Sequence, residues 1–186
     1  MNFKIQPSGE VSNHFLAIKI IDFQSACEFI AHLPYKRNLN KSNVLCVLTE
    51  LGGTCSTKHA ILAKLASEQN QLDVKLMLGI FKMDAGYSRK IQSTLEKYHL
   101  DYIPEAHNYL KIGTEYVDFT TPKANYESFR SKILLEQEIS FDEVITYKVS
   151  IHKAFLENWL LKENSNYSLS KIWQIREQCI TDLQGN

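Results

Sequence analysis

The chain has 186 residues, of which 44% are hydrophobic and 23% charged. A chain of that length buries about 70% of its unfolded surface, and this composition excludes disordered and fibrous classes. Lys plus Arg and Asp plus Glu number 21 each, so the net charge is +0; there is no basic footprint for nucleic acid or an anionic membrane and no acidic tail.

The opening "MNFKIQPSGE" lacks a basic-then-apolar export layout, and no window approaches the roughly 20 apolar residues of a membrane span. The cysteines, Cys27, Cys46, Cys55 and Cys179, show no CxxC spacing and read as free thiols, so the expected compartment is the cytoplasm.

Taken in chain order, "HFLAIKII" (14–21) is apolar and β-branched and predicts a strand. Asp22 then caps a short helix, "FQSACEFIAHL", that ends at Pro34. The polar run "YKRNLNKSN" (35–43) predicts a loop, and a short apolar run, 44–48, leads to Gly52-Gly53. From Thr54 the spacing becomes helical: Cys55, His59, Leu62 and Ala66 share a stripe, with Thr54 as N-cap and the glycines allowing a tight turn. "DVKLMLGIF" (73–81) alternates and predicts a buried strand, followed by a helix around 87–98. "AHNYLKI", "GT" and "EYVDF" form a hairpin signal around a Gly-led two-residue turn. Beyond Pro122, residues 142–163 and 168–184 predict two amphipathic helices that complete the fold as outer packing. The whole chain reads as one domain with its core at about 44–122 and a helical part at about 142–184.

Cys55 stands at the head of a helix, where unpaired N–H groups and the positive dipole end stabilise a thiolate. Such a nucleophile needs a histidine base and a third group to orient the imidazole. If Gly113-Thr114 is the turn, Ile112 pairs with Glu115, His107 faces Thr120 and Tyr109 faces Asp118. His107 and Asp118 are then diagonal neighbours on one sheet face.

The order Cys, His, Asp in "GGTCSTKHAILAKLASEQ", "EAHNYLKIG" and "EYVDFTTP" resembles the transglutaminase-like superfamily of papain-like cysteine enzymes. The resemblance covers about 50–122. It implies an α+β fold in which a nucleophile helix packs on an antiparallel sheet (74–81, 106–112 and 115–119), with the C-terminal helices outside. By position, it implies Cys55 as nucleophile, His107 as base and Asp118 as the orienting group. It further implies acyl transfer or hydrolysis of an amide or ester in a peptide, protein or small molecule, with no metal or organic cofactor. The family's tryptophan two places after the histidine is Tyr109 here. Family members often supply a side-chain amide upstream of the cysteine as second oxyanion donor, and Asn38 and Asn43 are the candidates.

Two rival readings stand beside this one: a catalytically silent binding module on the same fold, and a zinc site using Cys55, His59 and His107, with Asp118 available as a fourth ligand. Outside a zinc site, His59 is expected at the helix flank or against substrate. Lys58 is expected as a solvated surface residue, and Cys27, Cys46 and Cys179 as inert core thiols. His14, His32, His99 and His152 carry no partner pattern and are expected at the surface or satisfied in the core. Tyr87, Tyr98, Tyr102 and Tyr109 either line a cleft near the hairpin or fill the core.

Overall fold

The computed structural model describes residues 1–184 and shows an α+β fold. Among the described residues there are seven α-helices and four strands: α1 Glu10–Ala17, α2 Phe23–His32, α3 Cys46–Thr49, α4 Cys55–Glu68, β1 Val74–Asp84, α5 Gln92–Lys97, β2 Tyr102–Ile112, β3 Glu115–Val117, β4 Ile133–Ile139, α6 Tyr147–Lys162 and α7 Leu169–Gln184. The strands form one antiparallel sheet in the order β3-β2-β1-β4. No helix among these residues is long and apolar enough to cross a membrane.

The hairpin forms in the expected register: Ile112 pairs with Glu115, Lys111 with Tyr116 and Leu110 with Val117. Gly113, at φ 61°, supplies the left-handed first residue of the turn. β1 runs three residues beyond the expected Phe81, to Asp84, and pairs along its whole length with β2. β3 stops at Val117, which leaves Asp118 just outside the ladder.

Side chains alternate across the sheet and create two apolar cores. On one face Leu76, Leu78 and Ile80 of β1 and Ala106 and Leu110 of β2 pack with Ile61, Leu62 and Leu65 of α4. On the other, Met77, Phe81, Met83, Ile103 and Tyr109 pack with Tyr126, Phe129 and residues of α6 and α7. A fully buried Leu or Ile contributes about 1.5–3 kcal/mol. α4 therefore sits in the densest part of the first core, buried on nearly every side.

The structure differs from the sequence reading at two elements. Residues 14–17, expected in a strand, are the second half of α1, and 18–21 form its exit. Val11 and Phe15, one turn apart, enter the core. The Glu68 carboxylate at the end of α4 accepts from the amides of Val11 (3.1 Å) and Ser12 (2.7 Å). Those amides have no partner within their own helix, so a residue distant in sequence stabilises the helix start. Lys19, at φ 64°, closes α1, and Ile20 donates to the Phe15 carbonyl. The second difference is β4, which lies between Pro122 and residue 142, where the sequence reading assigns no element. Leu134, exposed beside inward-facing Ile133 and Leu135, blurs its alternation. Because β4 pairs with β1, the chain beyond residue 123 is part of the same sheet.

The glycines before α4 act differently from expectation. The left-handed residue of that turn is Leu51, at φ 51°. Gly52 and Gly53 instead permit close approach: a Cβ would lie 2.9 Å from the Pro34 carbonyl at Gly52 and 2.6 Å from Thr57 Oγ1 at Gly53.

Replacing Glu68 by Ala removes two hydrogen bonds to the start of α1. We expect a loss of about 1–2 kcal/mol in urea unfolding, with Cys55 reactivity unchanged. Wild-type stability in that variant would show that α1 does not depend on Glu68.

Candidate active site

α4 begins as its sequence dictates. Thr54 is the N-cap, its backbone N–H donates to Thr57 Oγ1 at 3.0 Å, and Cys55 is the first helical residue. The unusual feature is the burial of the next turn. Thr57, Lys58 and His59 are 4%, 0% and 0% exposed, so each must find a partner inside the protein.

Thr57 Oγ1 donates to Asn38 Oδ1 at 2.8 Å, while Asn38 Nδ2 donates to the Gly52 carbonyl at 2.8 Å. Asn38 thus fixes the loop and the glycine turn together, and its amide is not turned to the sulfur. Asn43 accepts from the Leu45 amide at 2.9 Å and serves a turn. Neither asparagine is placed as the oxyanion donor considered from sequence.

Lys58, expected at the surface, is fully buried. Its ammonium donates to the carbonyls of Leu33 (2.5 Å) and Thr120 (2.7 Å), and burial lowers its pKa to about 8. The interior fills the position because the whole helix is enclosed; an isolated lysine in a helical pattern carries no sign of that.

His59 has both ring nitrogens in use. Nε2 accepts from the Phe119 amide at 2.7 Å, which leaves Nδ1–H to donate to the Cys55 carbonyl at 2.7 Å. Burial lowers its pKa to about 4, so the ring is neutral. With both nitrogens occupied, His59 has no lone pair to offer a metal. The zinc arrangement considered from sequence is not formed: among the described residues no group of three or more His, Cys, Asp or Glu side chains is placed to hold a metal ion.

The His59 bond to Phe119 and the Lys58 bond to Thr120 hold the segment that carries Asp118. The Thr120 amide donates to Asp118 Oδ1 at 2.8 Å, and His107 Nε2 donates to Asp118 Oδ2 at 2.8 Å. The diagonal pair expected from the register is therefore present. His107 shares its sheet face with Tyr109, and its ring packs against Phe129 at 5.2 Å and Phe81 at 6.3 Å between centroids. The body of α4 packs on the opposite face; only its first turn reaches the His107 side, where Cys55 and His107 line one cavity.

Tyr109 stands where the resembling family has tryptophan. It is fully buried behind His107, and its hydroxyl donates to Glu136 Oε1 at 2.5 Å. Tyr116 and Tyr126 donate to the same carboxylate. A Cβ at Gly79 would lie 2.6 Å from the Tyr109 hydroxyl, so glycine there makes room for the ring. Of the other tyrosines considered, Tyr87 borders the cavity, whereas Tyr98 and Tyr102 lie elsewhere, against Tyr167 and Trp159.

No protein family, curated protein or solved structure matches the chain.

Cys55 opens between two spaces. One, about 250 Å³, has apolar walls from Phe81, Met83, Tyr87, Ile180 and Leu183. The other, about 310 Å³, is polar and includes Lys148, Glu105 and Arg176. Tyr35, from the loop after α2, borders both. The C-terminal helices, expected as outer packing, thus supply walls of the cleft. They also bring a residue that sequence reasoning missed: Lys148 of α6 is buried, with Nζ 2.8 Å from Ser56 Oγ and 3.7 Å from Cys55 Sγ. No spacing relative to Cys55 could have revealed it, because 93 residues separate the two.

Burial opposes ionisation of Cys55, but the charges of Lys148 and His107 outweigh it and hold the thiol pKa below its usual value. For His107, burial opposes protonation, and Asp118 and the Cys55 thiolate overcome it, raising the pKa. Asp118 is likewise driven well below the ordinary carboxylate range, against its burial, chiefly by His107. At neutral pH these directions favour a thiolate beside an imidazolium, with a carboxylate behind. The other thiols differ: burial raises the pKa of Cys27, Cys46 and Cys179, and all three are enclosed. His152 is also enclosed, with Nε2 at 2.9 Å from the Pro104 carbonyl, while His14 and His32 sit at the surface against carbonyls of their own helices.

These environments predict distinct states for the two site histidines. Nitrogen NMR should find His59 neutral, with its proton on Nδ1, from pH 8 down toward about 4, and His107 protonated through neutral pH. A His59 that titrates near 6.5 would contradict the hydrogen-bond scheme.

Proposed function

We propose that this chain is a papain-like, transglutaminase-like cysteine enzyme that transfers or hydrolyses acyl groups. The observation that carries the reading is the arrangement around His107. One ring nitrogen is bonded to Asp118 at 2.8 Å, and the ring, charged beside Cys55, helps to lower that thiol's pKa. A thiolate at a helix head, a histidine oriented by a buried carboxylate and a cleft reaching the sulfur are what covalent acyl chemistry needs.

In this reading the Cys55 thiolate attacks the carbonyl carbon of an amide or ester. The carbonyl electron pair moves to oxygen, and backbone N–H groups at the start of α4 face the resulting oxyanion. As the intermediate collapses, the bond to the amine or alcohol breaks and His107 gives that group its proton. A water or amine then attacks the acyl-thioester, with His107 taking its proton, and the thiolate is restored. Asp118 holds the ring in the required tautomer throughout. The substrate is an amide or ester of a peptide, protein or small molecule. Residues of this chain carry every step.

Two measurements test the reading: the pH profile of iodoacetamide labelling, and acetylation by p-nitrophenyl acetate followed by intact mass. We expect Cys55 to label well below the free-thiol pKa of about 8.5, with an acetyl adduct that forms and is released. His107→Ala should lose the low-pH labelling and release of the adduct, and Asp118→Ala should slow acetylation about tenfold to a hundredfold. An ordinary thiol profile without an acetyl adduct would sink the proposal. Stable acetylation without release would favour the silent binding module.

A further inference from the structure

Lys148 is 8% exposed and, among the described residues, forms no ion pair with a carboxylate. An ammonium held away from water without a counter-charge is strongly unfavourable. The groups packed around it identify what compensates it. Glu105 of β2 shares the cleft, but both its oxygens accept from Arg176 of α7, at 2.6 Å for the Nε contact. Arg176 also binds Glu177, which in turn binds Arg37. The Lys148 charge reaches Glu105 through space, but the hydrogen bonds of that carboxylate go to Arg176. His152, one turn along α6, is kept toward its neutral form by burial. From α4, Ser56 offers a neutral hydroxyl at 2.8 Å, and Cys55 offers its sulfur at 3.7 Å. The anion in contact with the Lys148 ammonium is the Cys55 thiolate.

A second observation concerns the oxyanion. The two asparagines that precede Cys55 as candidate donors are occupied elsewhere, by Thr57 and Gly52 in one case and Leu45 in the other. On the cleft side of the sulfur stands the Lys148 ammonium, a stronger donor to a negative oxygen than a neutral amide.

We infer that Lys148 is a catalytic residue, the counter-ion that holds Cys55 as a thiolate and then the donor that meets the oxyanion. This rests on the acyl chemistry proposed above. When the sulfur electron pair forms the C–S bond, the carbonyl pair moves to oxygen, and the negative charge passes from sulfur to oxygen. Lys148 serves both positions without giving up a proton. Collapse of the intermediate sends the leaving group away with the His107 proton and leaves a neutral thioester, and deacylation restores the thiolate partner. Ser56 is a positioning residue in this scheme, since its hydroxyl fixes the ammonium.

The test compares wild type with Lys148→Met and Lys148→Arg, using iodoacetamide profiles and p-nitrophenyl acetate acylation measured above the labelling midpoint of each protein. Methionine is close in size, and the Cys55 thiol left without its cation can take up a proton and become neutral, so thermal melting should show K148M folded. K148M should raise the Cys55 labelling midpoint by about one pH unit or more. It should also slow acylation of the fully ionised thiol about a hundredfold, and K148R should recover part of both. A folded K148M with the wild-type midpoint and acylation within twofold of wild type would overturn the inference while leaving the acyl reading intact. A wild type that never acylates, beside a K148M whose midpoint still rises, would overturn the acyl reading and the oxyanion role, and would support the counter-ion role. If K148M fails to fold, K148R decides: loss of the low-pH labelling there, despite retained charge and fold, would count against the counter-ion role.

Discussion

The structure around the site depends on one constraint, the burial of the polar first turn of α4. Unpaired polar groups inside a protein are costly, so Thr57, Lys58 and His59 each need an internal partner. Apart from the His59 Nδ1 bond to the Cys55 carbonyl, the partners lie outside the helix, in the loop after α2 and the segment after β3. Thr57 holds Asn38, Lys58 holds the Leu33 and Thr120 carbonyls, and His59 holds the Phe119 amide. Two irregular segments are thereby placed relative to Cys55 by satisfied hydrogen bonds, and Asp118 arrives beside His107 as a consequence.

The same logic extends to charge. Cys55 on α4 faces Lys148 on α6, His107 on β2 faces Asp118 beyond β3, and Glu105 on β2 faces Arg176 on α7. The first and third pairs join elements 93 and 71 residues apart, the second spans one hairpin, and in each the burial that penalises one charge is offset by the other. Docking of the C-terminal helices is for this reason part of the site's electrostatics. Without α6 the thiol would lose a cation that lowers its pKa, and without α7 the Glu105 carboxylate would stand unpaired in the cleft.

Much of this was legible before the fold was seen. Thr54 as cap, α4 with its buried stripe, the long strand β1 and the Gly-led hairpin are local patterns, set by periodicity and turn chemistry. The hairpin register even brought His107 and Asp118 within reach of each other, because an antiparallel pair with a known turn has only one parity. Other elements resisted the same reading for identifiable reasons. α1 looked like a strand because Ile18, Ile20 and Ile21 follow it closely, while the carboxylate that stabilises its start lies 56 residues away in α4. β4 hid behind the exposed Leu134. Lys58 reads as a surface residue because a lysine is polar wherever it stands, and only the enclosure of the whole helix shows that its ammonium points inward.

The sequence by itself determined the secondary elements near the site and the hairpin register that sets His107 and Asp118 on one side of the sheet, since both follow from interactions among neighbours along the chain or across one turn. The tertiary structure decided what surrounds the cysteine: which face of the sheet α4 covers, which loops its polar turn secures, and that a lysine from α6 stands 3.7 Å from the Cys55 sulfur. Helix packing and buried charge pairing act through space. They leave no periodic trace, so a residue such as Lys148 shows its role only once the C-terminal helices have docked.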